Sequence, residues 1–477
     1  MNMKKRVLLI VLVLFICLVS FGCHRGRLRS PFVMPEDFDD TKDYYITFWS
    51  KNDSNKEQKA IYNDTIKRFN EYYPNIHVEL VAYNDYSAIH RDVMKNISTD
   101  TTPNVCITYP DFVATYLEGR NVMVPLDDLM NDSEYGLGGT KIKYQSVKKE
   151  EVISKFLEEG KVGGVQYTLP FVRSSEALYI NKTYVESLGF EIPDMPTWDF
   201  VWEVCYKAME EEHPNGMIPF IYKSTDNMMI QVAKQKGYGY STEDADVLIF
   251  NDGVKSYLEE LSKYVEDKLF DTFVRVSYPG NFFNRGRCIF AIDSTAGATW
   301  IGSKAPQIDI PAEELADFET VVRPIPQYDV ENPQMISQGP SVCIFNKTDK
   351  DEVVASWIFA QFLLNTDTQM AYAQTEGYVP VTTLATNNPS YIEYLNSPSE
   401  TDEKHYSVKI EATKIVLDNI DNTFITPVFN GSSSVRSLAG ALIEQTVNLD
   451  RTATDSDIDT IFQKMRSLYK IDNIRKK

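Results

Sequence analysis

The 477-residue chain is poor in the residues that build most metal and redox centres, with six cysteines and five histidines. No CxxC pair and no HExxH occurs, and the histidines at 24, 77, 90, 213 and 405 are scattered. Neither a zinc site nor a thioredoxin-like motif is therefore indicated. Cys106, Cys205, Cys288 and Cys343 each stand in apolar surroundings and read as small buried hydrophobes. One or two disulfides remain open in an exported chain, because sequence does not pair cysteines. A GxSxG elbow, a P-loop and a GxGxxG turn are also missing, which removes the commonest hydrolase, nucleotide-phosphate and dinucleotide signatures. Positive charge is scarce: 48 Lys and Arg against 68 Asp and Glu leave a net charge of −20. Such a surface repels nucleic acid and anionic lipid, so no nucleic-acid partner is expected. There is no short repeat, coiled coil or low-complexity segment, and one long apolar run only.

That run is at the N-terminus. A basic "MNMKKR" precedes a 15-residue stretch, Val7 to Phe21, apolar throughout except at Ser20. The length suits a signal peptide and falls short of the ~20 residues a membrane-spanning helix needs. Residues 1–22 are expected to be cleaved. Lys4, Lys5 and Arg6 leave with them and no acid does, so the charge moves from −20 to −23. Gly22-Cys23 fits a lipidation site, although Ser20 and Phe21 stand where a Leu-like and a small residue are usual. Residues 24–41 are polar, charged and proline-containing, and read as a tether reaching roughly 25 Å. Cys23 is thus the expected lipid anchor on the extracellular face of the cell membrane, held by two or more acyl chains.

The remainder alternates. Residues 43–50 (DYYITFWS) are rich in β-formers. Ser54 and Glu57 have capping-box spacing ahead of a helix carrying Ile61, Tyr62, Ile66, Phe69 and Tyr73, which Pro74 stops. A strand at 76–83, a helix with Ile89, Val93 and Ile97 on one face, a strand at 103–109 and a helix from 111 follow. This βαβαβ order predicts a largely parallel sheet with ligands beyond the carboxyl ends of its strands, here Trp49-Ser50 and Tyr109-Pro110-Asp111. Further strands are predicted at "EALYINK", 287–294 and 340–347, a helix capped by Thr197, another over 350–365, and a mostly helical last hundred residues. Trp198, Trp202 and Trp357 fall at apolar helical spacing and read as core.

The segments "ITFWS", "FNEYYPNIHVEL", "PNVCITYPDFVATYLEGRNVMVPLDDL", "YTLPFVRSSEALYINKTYVESLGFEIPDMPTWDFVWEVC", "NRGRCIFAIDS" and "ASWIFAQFLLNTDTQMAYAQTEGYVP" cover most of residues 43–385. In this order and spacing they resemble the extracellular solute-binding proteins of ABC importers, in the carbohydrate-binding, maltose-binding-protein-like class. The resemblance implies an α/β fold of the two-lobed periplasmic-binding-protein type II, with a hinged cleft between the lobes. It implies lobe one at 42–170 plus 329–378 and lobe two at 171–328 plus 379–477, with crossings near 168–174, 322–330 and 377–383. It also implies a monomer that binds a small solute such as a sugar or oligosaccharide, hands it to membrane permease subunits, and has neither cofactor nor catalytic residues. Positions that match the family's contact loops are Trp49, Asn52 and Asp53 after the first strand, Tyr109 and Asp111 after the third, and Arg173 and Ser174 at the first crossing. Trp300, Gln338, Gly339 and Tyr378 complete the set. The family's small-residue turn carries a stacking tryptophan; here that position in "STAGATW" holds Ala or Gly and the tryptophan comes later. Asp111 has an alternative reading as a helix cap, and Arg173 as a hinge brace paired with an acid. Two other functions stay open: a secreted carbohydrate-active enzyme, for which acids are abundant but unplaced, and a surface sensor without transport.

Overall fold

A computed structural model describes residues 30–51, 56–210, 216–276 and 278–474. Cys23, Asn52, Asp53 and the Ser54 half of the predicted capping box lie outside them. The strands that matter are β1 (Tyr44–Lys51), β2 (Ile76–Tyr83), β3 (Val105–Thr108), β4 (Thr168–Pro170), β5 (Glu176–Asn181), β6 (Phe220–Tyr222), β7 (Phe270–Thr272), β8 (Phe290–Ser294), β9 (Thr320–Pro324) and β10 (Ser341–Ile344). The helices are α1 (Lys56–Tyr72), α2 (Tyr86–Thr99), α3 (Pro110–Tyr116), α4 (Trp198–Ala208), α5 (Thr225–Lys236), α6 (Lys350–Phe362) and α7 (Ser432–Val447).

They form two five-stranded sheets, in the orders β2-β1-β3-β10-β4 and β7-β6-β8-β5-β9. The first three strands pair in parallel, as the βαβαβ pattern requires. β10 then joins antiparallel to both β3 and β4. That mixed half was not legible in the local pattern, because β10 arrives from a distant part of the chain.

Each sheet has its own core. In β1 the buried Tyr44, Ile46 and Phe48 alternate with the exposed Tyr45, the period of a pleated strand. Helices α1, α2 and α6 cover this sheet, with Trp357 fully buried. Asp85 caps α2 by accepting from the Ala88 amide at 2.7 Å. β5 is buried along its whole length, since both of its faces are covered. Leu178 and Ile180 pack on one side with Trp198 and Trp202, while Ala177 and Tyr179 pack on the other with Phe283 and Ile301. Thr197 caps α4 through the Phe200 amide at 3.1 Å.

The chain passes between the sheets three times. Residues 171–175 join β4 to β5, residues 325–340 join β9 to β10, and a short strand at Val379–Pro380 pairs antiparallel with Val172–Arg173. The first two segments also pair with each other: Ser174 and Gln338 exchange backbone hydrogen bonds of 2.8 and 2.9 Å. The stretch beyond the third passage serves both cores, with Tyr391 and Tyr394 in the first and Phe429, Leu438 and Leu442 in the second. Among the described residues no helix is long and apolar enough to cross a membrane.

Candidate ligand-binding site

A cavity of about 720 Å³ opens between the two sheets. Each sheet contributes the turn where a strand feeds a helix, the usual ligand position in α/β folds. From the first sheet come Tyr109, Pro110, Asp111 and Phe112, where β3 runs into α3 and Pro110 takes the first helical turn. From the second come Ser224, Thr225, Asp226 and Asn227, where β6 runs into α5. The passage between β9 and β10 adds Ile336 to Gly339. Helix α7 supplies a further wall with Ser433, Arg436, Ser437, Gly440 and Glu444. Gly440 is needed there: a Cβ would stand 2.9 Å from Thr225 Oγ1, so only glycine lets α7 lie this close to α5.

A charge network runs through the wall. Arg436 Nε donates to Asp226 Oδ2 at 2.8 Å and its guanidinium also donates to Asn227 Oδ1. Asn227 Nδ2 donates to Glu176 Oε1 at 2.9 Å, and Tyr222 donates its hydroxyl to the same carboxyl. Burial dominates Glu176 and pushes its pKa up to about 8, against the opposing pull of those two hydrogen bonds. Across the cavity, Asp111 Oδ1 accepts from Ser432 Oγ at 2.7 Å and so joins the two lobes. Burial raises Asp111, Arg436 and Ser432 oppose the shift, and nearby Asp226 reinforces it. Burial by itself would lower Arg436, yet Asp226 and Asp111 outweigh it and hold the guanidinium above its ordinary range. Arg436 is the one cation among the lining residues, facing four acids. Of those acids, Glu159 is committed elsewhere: it binds Arg173 Nε at 2.6 Å and accepts from Ser337 Oγ at 2.6 Å. Tyr109, 38% exposed, presents a ring already tilted against Tyr86 at 4.6 Å. Gln338 Nε2 is enclosed with no protein partner. Carboxylates, an arginine, amides, hydroxyls and a tyrosine face make a surface suited to a polyhydroxylated solute.

Of the positions singled out in the sequence, the structure gathers Tyr109, Asp111, Gln338 and Gly339 around this cavity. Asp111 is not the cap of α3, a place taken by Tyr109. The other described positions lie apart for packing reasons. Trp49 is in the first core with its ring 5.1 Å from that of Tyr83. Arg173 is fully buried, donating to Glu159, to the Val172 and Pro340 carbonyls and to Ser341 Oγ. Ser174 is buried in the paired crossing strands. Trp300 ends a 3-10 turn, its carbonyl accepting from Asn284 Nδ2 at 2.9 Å, and Tyr378 packs on Tyr372 at 5.8 Å. Sequence reasoning missed Asp226, Asn227, Arg436 and Glu444. One signal was present: Arg436, Gly440 and Glu444 recur every four residues, a stripe opposite the buried Val435, Leu438 and Leu442 of the same helix.

The family model for bacterial extracellular solute-binding proteins matches residues 64–398. The chain belongs to that family. Solute-binding proteins of known structure share its two-lobed α/β fold. UgpB from Mycobacterium tuberculosis, in complex with glycerophosphocholine, superposes with a TM-score of 0.68 at 18% identity, covering 89% of this chain and 97% of the other. Lmo0181 from Listeria monocytogenes, in complex with cycloalternan, gives 0.67 at 16% over 90% and 99%. The GacH receptor of Streptomyces glaucescens, solved unliganded and with acarbose, gives 0.65 at 15% over 90% and 99%. By sequence, the sn-glycerol-3-phosphate-binding periplasmic protein UgpB of Rhizobium meliloti is 24% identical over 236 residues, 47% of this chain. The chain spans about half (51%) of that relative's length.

Proposed function

We propose that this solute-binding protein is the extracellular receptor of an ABC-type importer. It captures a sugar or oligosaccharide in the cavity between its lobes and presents it to membrane permease subunits. The observation that carries this reading is the cavity itself: both lobes and a crossing segment converge there, and its polar lining comes from all three. A ligand bridging Asp111 on one side and Arg436 with Asn227 on the other favours the closed arrangement of the lobes over an open one, which is how binding shifts such a population. The protein acts as a monomer and performs no chemistry on its ligand. Its N-terminus is anchored through lipid at Cys23, and intact-mass analysis of the exported protein tests this: a cleaved but unlipidated N-terminus refutes the anchor and leaves the receptor reading standing.

A second ligand class has a specific observation in its favour. Arg436 is a buried-side cation in the cavity, and relatives bind glycerol 3-phosphate and glycerophosphocholine. The acids around Arg436 weigh against a phosphate monoester and are compatible with a zwitterionic diester. A thermal-shift screen separates the classes. A ligand at 100 times its dissociation constant adds about 2.7 kcal/mol. A shift from oligosaccharides supports the first reading, a shift from glycerophosphocholine the second, and silence from both with a shift from peptides or amines overturns both. Hydrolysis of an oligosaccharide by the pure protein would instead support a carbohydrate-active enzyme.

A further inference from the structure

Cys106 and Cys343 stand directly opposite one another across the antiparallel β3–β10 pair. Residues so opposed project from the same face with Cα atoms about 4.5–5.5 Å apart. A disulfide spans Cα separations of about 4.4–6.8 Å, so the backbone already holds these two residues at bridging distance. Both cysteines are free thiols in the structure, and the Cys106 Sγ turns to the Ile107 carbonyl at 3.7 Å, so closing a bond requires only rotation of the side chains on a backbone already in register. Cys343 also adds to the effect of burial in raising the Cys106 thiol. Both residues are fully buried. The other two core cysteines are not arranged this way. Cys205 and Cys288 belong to the clusters on opposite faces of the second sheet, and Cys288 Sγ turns to the carbonyls of Pro219 and Phe290.

We propose that Cys106 and Cys343 are a modification site, closing to a cross-strand disulfide when the chain folds outside the cytoplasm. The oxidant is a disulfide, either a small one such as glutathione disulfide or that of an extracytoplasmic thiol–disulfide exchange protein. One cysteine thiolate attacks the oxidant's S–S bond, forming a mixed disulfide and releasing one thiolate. The second cysteine thiolate then attacks the mixed disulfide, forming the Cys106–Cys343 bond and releasing the other thiolate. Two thiol protons are lost and the two electrons pass to the oxidant, which ends as two thiols. Because neither sulfur reaches solvent in the folded protein, the mixed disulfide forms before β10 docks on β3, and docking delivers the second thiol. Burial afterwards shields the bond from reductants.

The location gives the bond a consequence for the site. β3 leads straight into the Tyr109–Asp111 turn, and β10 follows directly on Gln338 and Gly339. A bridge between these strands ties together two walls of the cavity and closes a loop of more than two hundred residues, where cross-linking constrains the unfolded chain most. The pairing rests on the sheet register and not on the ligand reading, so the two fail separately.

The test is a peptide map. The full chain, denatured and reduced, is refolded in a buffer of glutathione and glutathione disulfide, then denatured in N-ethylmaleimide and digested. The expected result is a cross-linked peptide pair joining Cys106 to Cys343, with Cys205 and Cys288 alkylated. Melting of the refolded protein should rise in oxidising buffer, and a Cys106→Ser/Cys343→Ser variant should melt identically in oxidising and reducing buffer. Alkylation of both Cys106 and Cys343 after oxidative refolding overturns the proposal, as does a cross-link of either one to another cysteine.

Discussion

The buried Arg173–Glu159 pair is the strongest lever on the crossing region. The two side chains are 0% and 7% exposed and meet at 2.6 Å. Arg173 also donates to the Pro340 carbonyl at 2.9 Å and to Ser341 Oγ at 3.0 Å, so one guanidinium joins the first crossing to the second. Glu159→Gln keeps the shape but leaves the guanidinium without a counter-charge. Its remaining acceptors are neutral oxygens, and removing one partner of a buried pair costs about 3–5 kcal/mol. Arg173→Met removes the cation instead, leaving the buried Glu159 carboxylate without its counter-charge, for a loss in the same range of about 3–5 kcal/mol. The double variant carries no buried charge and should lose far less than the sum, leaving a coupling on the order of 2 kcal/mol or more. Guanidinium denaturation of the wild type, both single variants and the double variant measures the cycle. A Glu159→Gln loss below about 1 kcal/mol, as for a surface ion pair, or strict additivity of the two changes would refute the reasoning.

Three other outcomes follow from the site. Asp111→Ala should abolish the ligand-induced thermal shift while leaving the apo protein folded, because burial already makes its charge unfavourable; unchanged affinity removes Asp111 from the site. Glu176 holds its proton to about pH 8 in the folded protein against an ordinary value of 4.5, so the native state binds the extra proton between those limits. Its contribution is therefore fully present below pH 4.5 and is lost as pH rises through about 8, by at most about 5 kcal/mol. Glu176→Gln should flatten the melting profile between pH 5 and 9, and parallel curves for the two proteins would count against it. Gly339 has φ +143, and an added Cβ would stand 2.2 Å from the Val172 carbonyl oxygen. Gly339→Ala should thus cost more than about 2 kcal/mol in the first-crossing region; equal denaturation midpoints would contradict the close approach.

Much of the molecule was readable in order along the chain. The alternation from Tyr44 to Tyr116 dictated parallel strands covered by helices, and Thr197 marked a helix start, because both signals are local. The rule that ligands sit beyond strand carboxyl ends found Tyr109 and Asp111 for the same reason. It could not tell that turn from the one after β1, where Trp49 goes into the core instead, since a strand tryptophan serves either purpose.

Composition set the acidic balance, and the order of the matched segments carried the resemblance to the two-lobed solute-binding class. Only the tertiary structure decided what faces the cavity. Asp111 meets Ser432 321 positions away, and Arg173 meets Ser341 168 positions away. No local period encodes such meetings. They depend on how the chain passes three times between two sheets, and on a glycine that lets α7 close against α5. The same passages set Cys343 opposite Cys106 and carry Arg436 into a wall of carboxylates. Burial and proximity shift charges and set residues opposite one another, and both arise only after distant segments have packed.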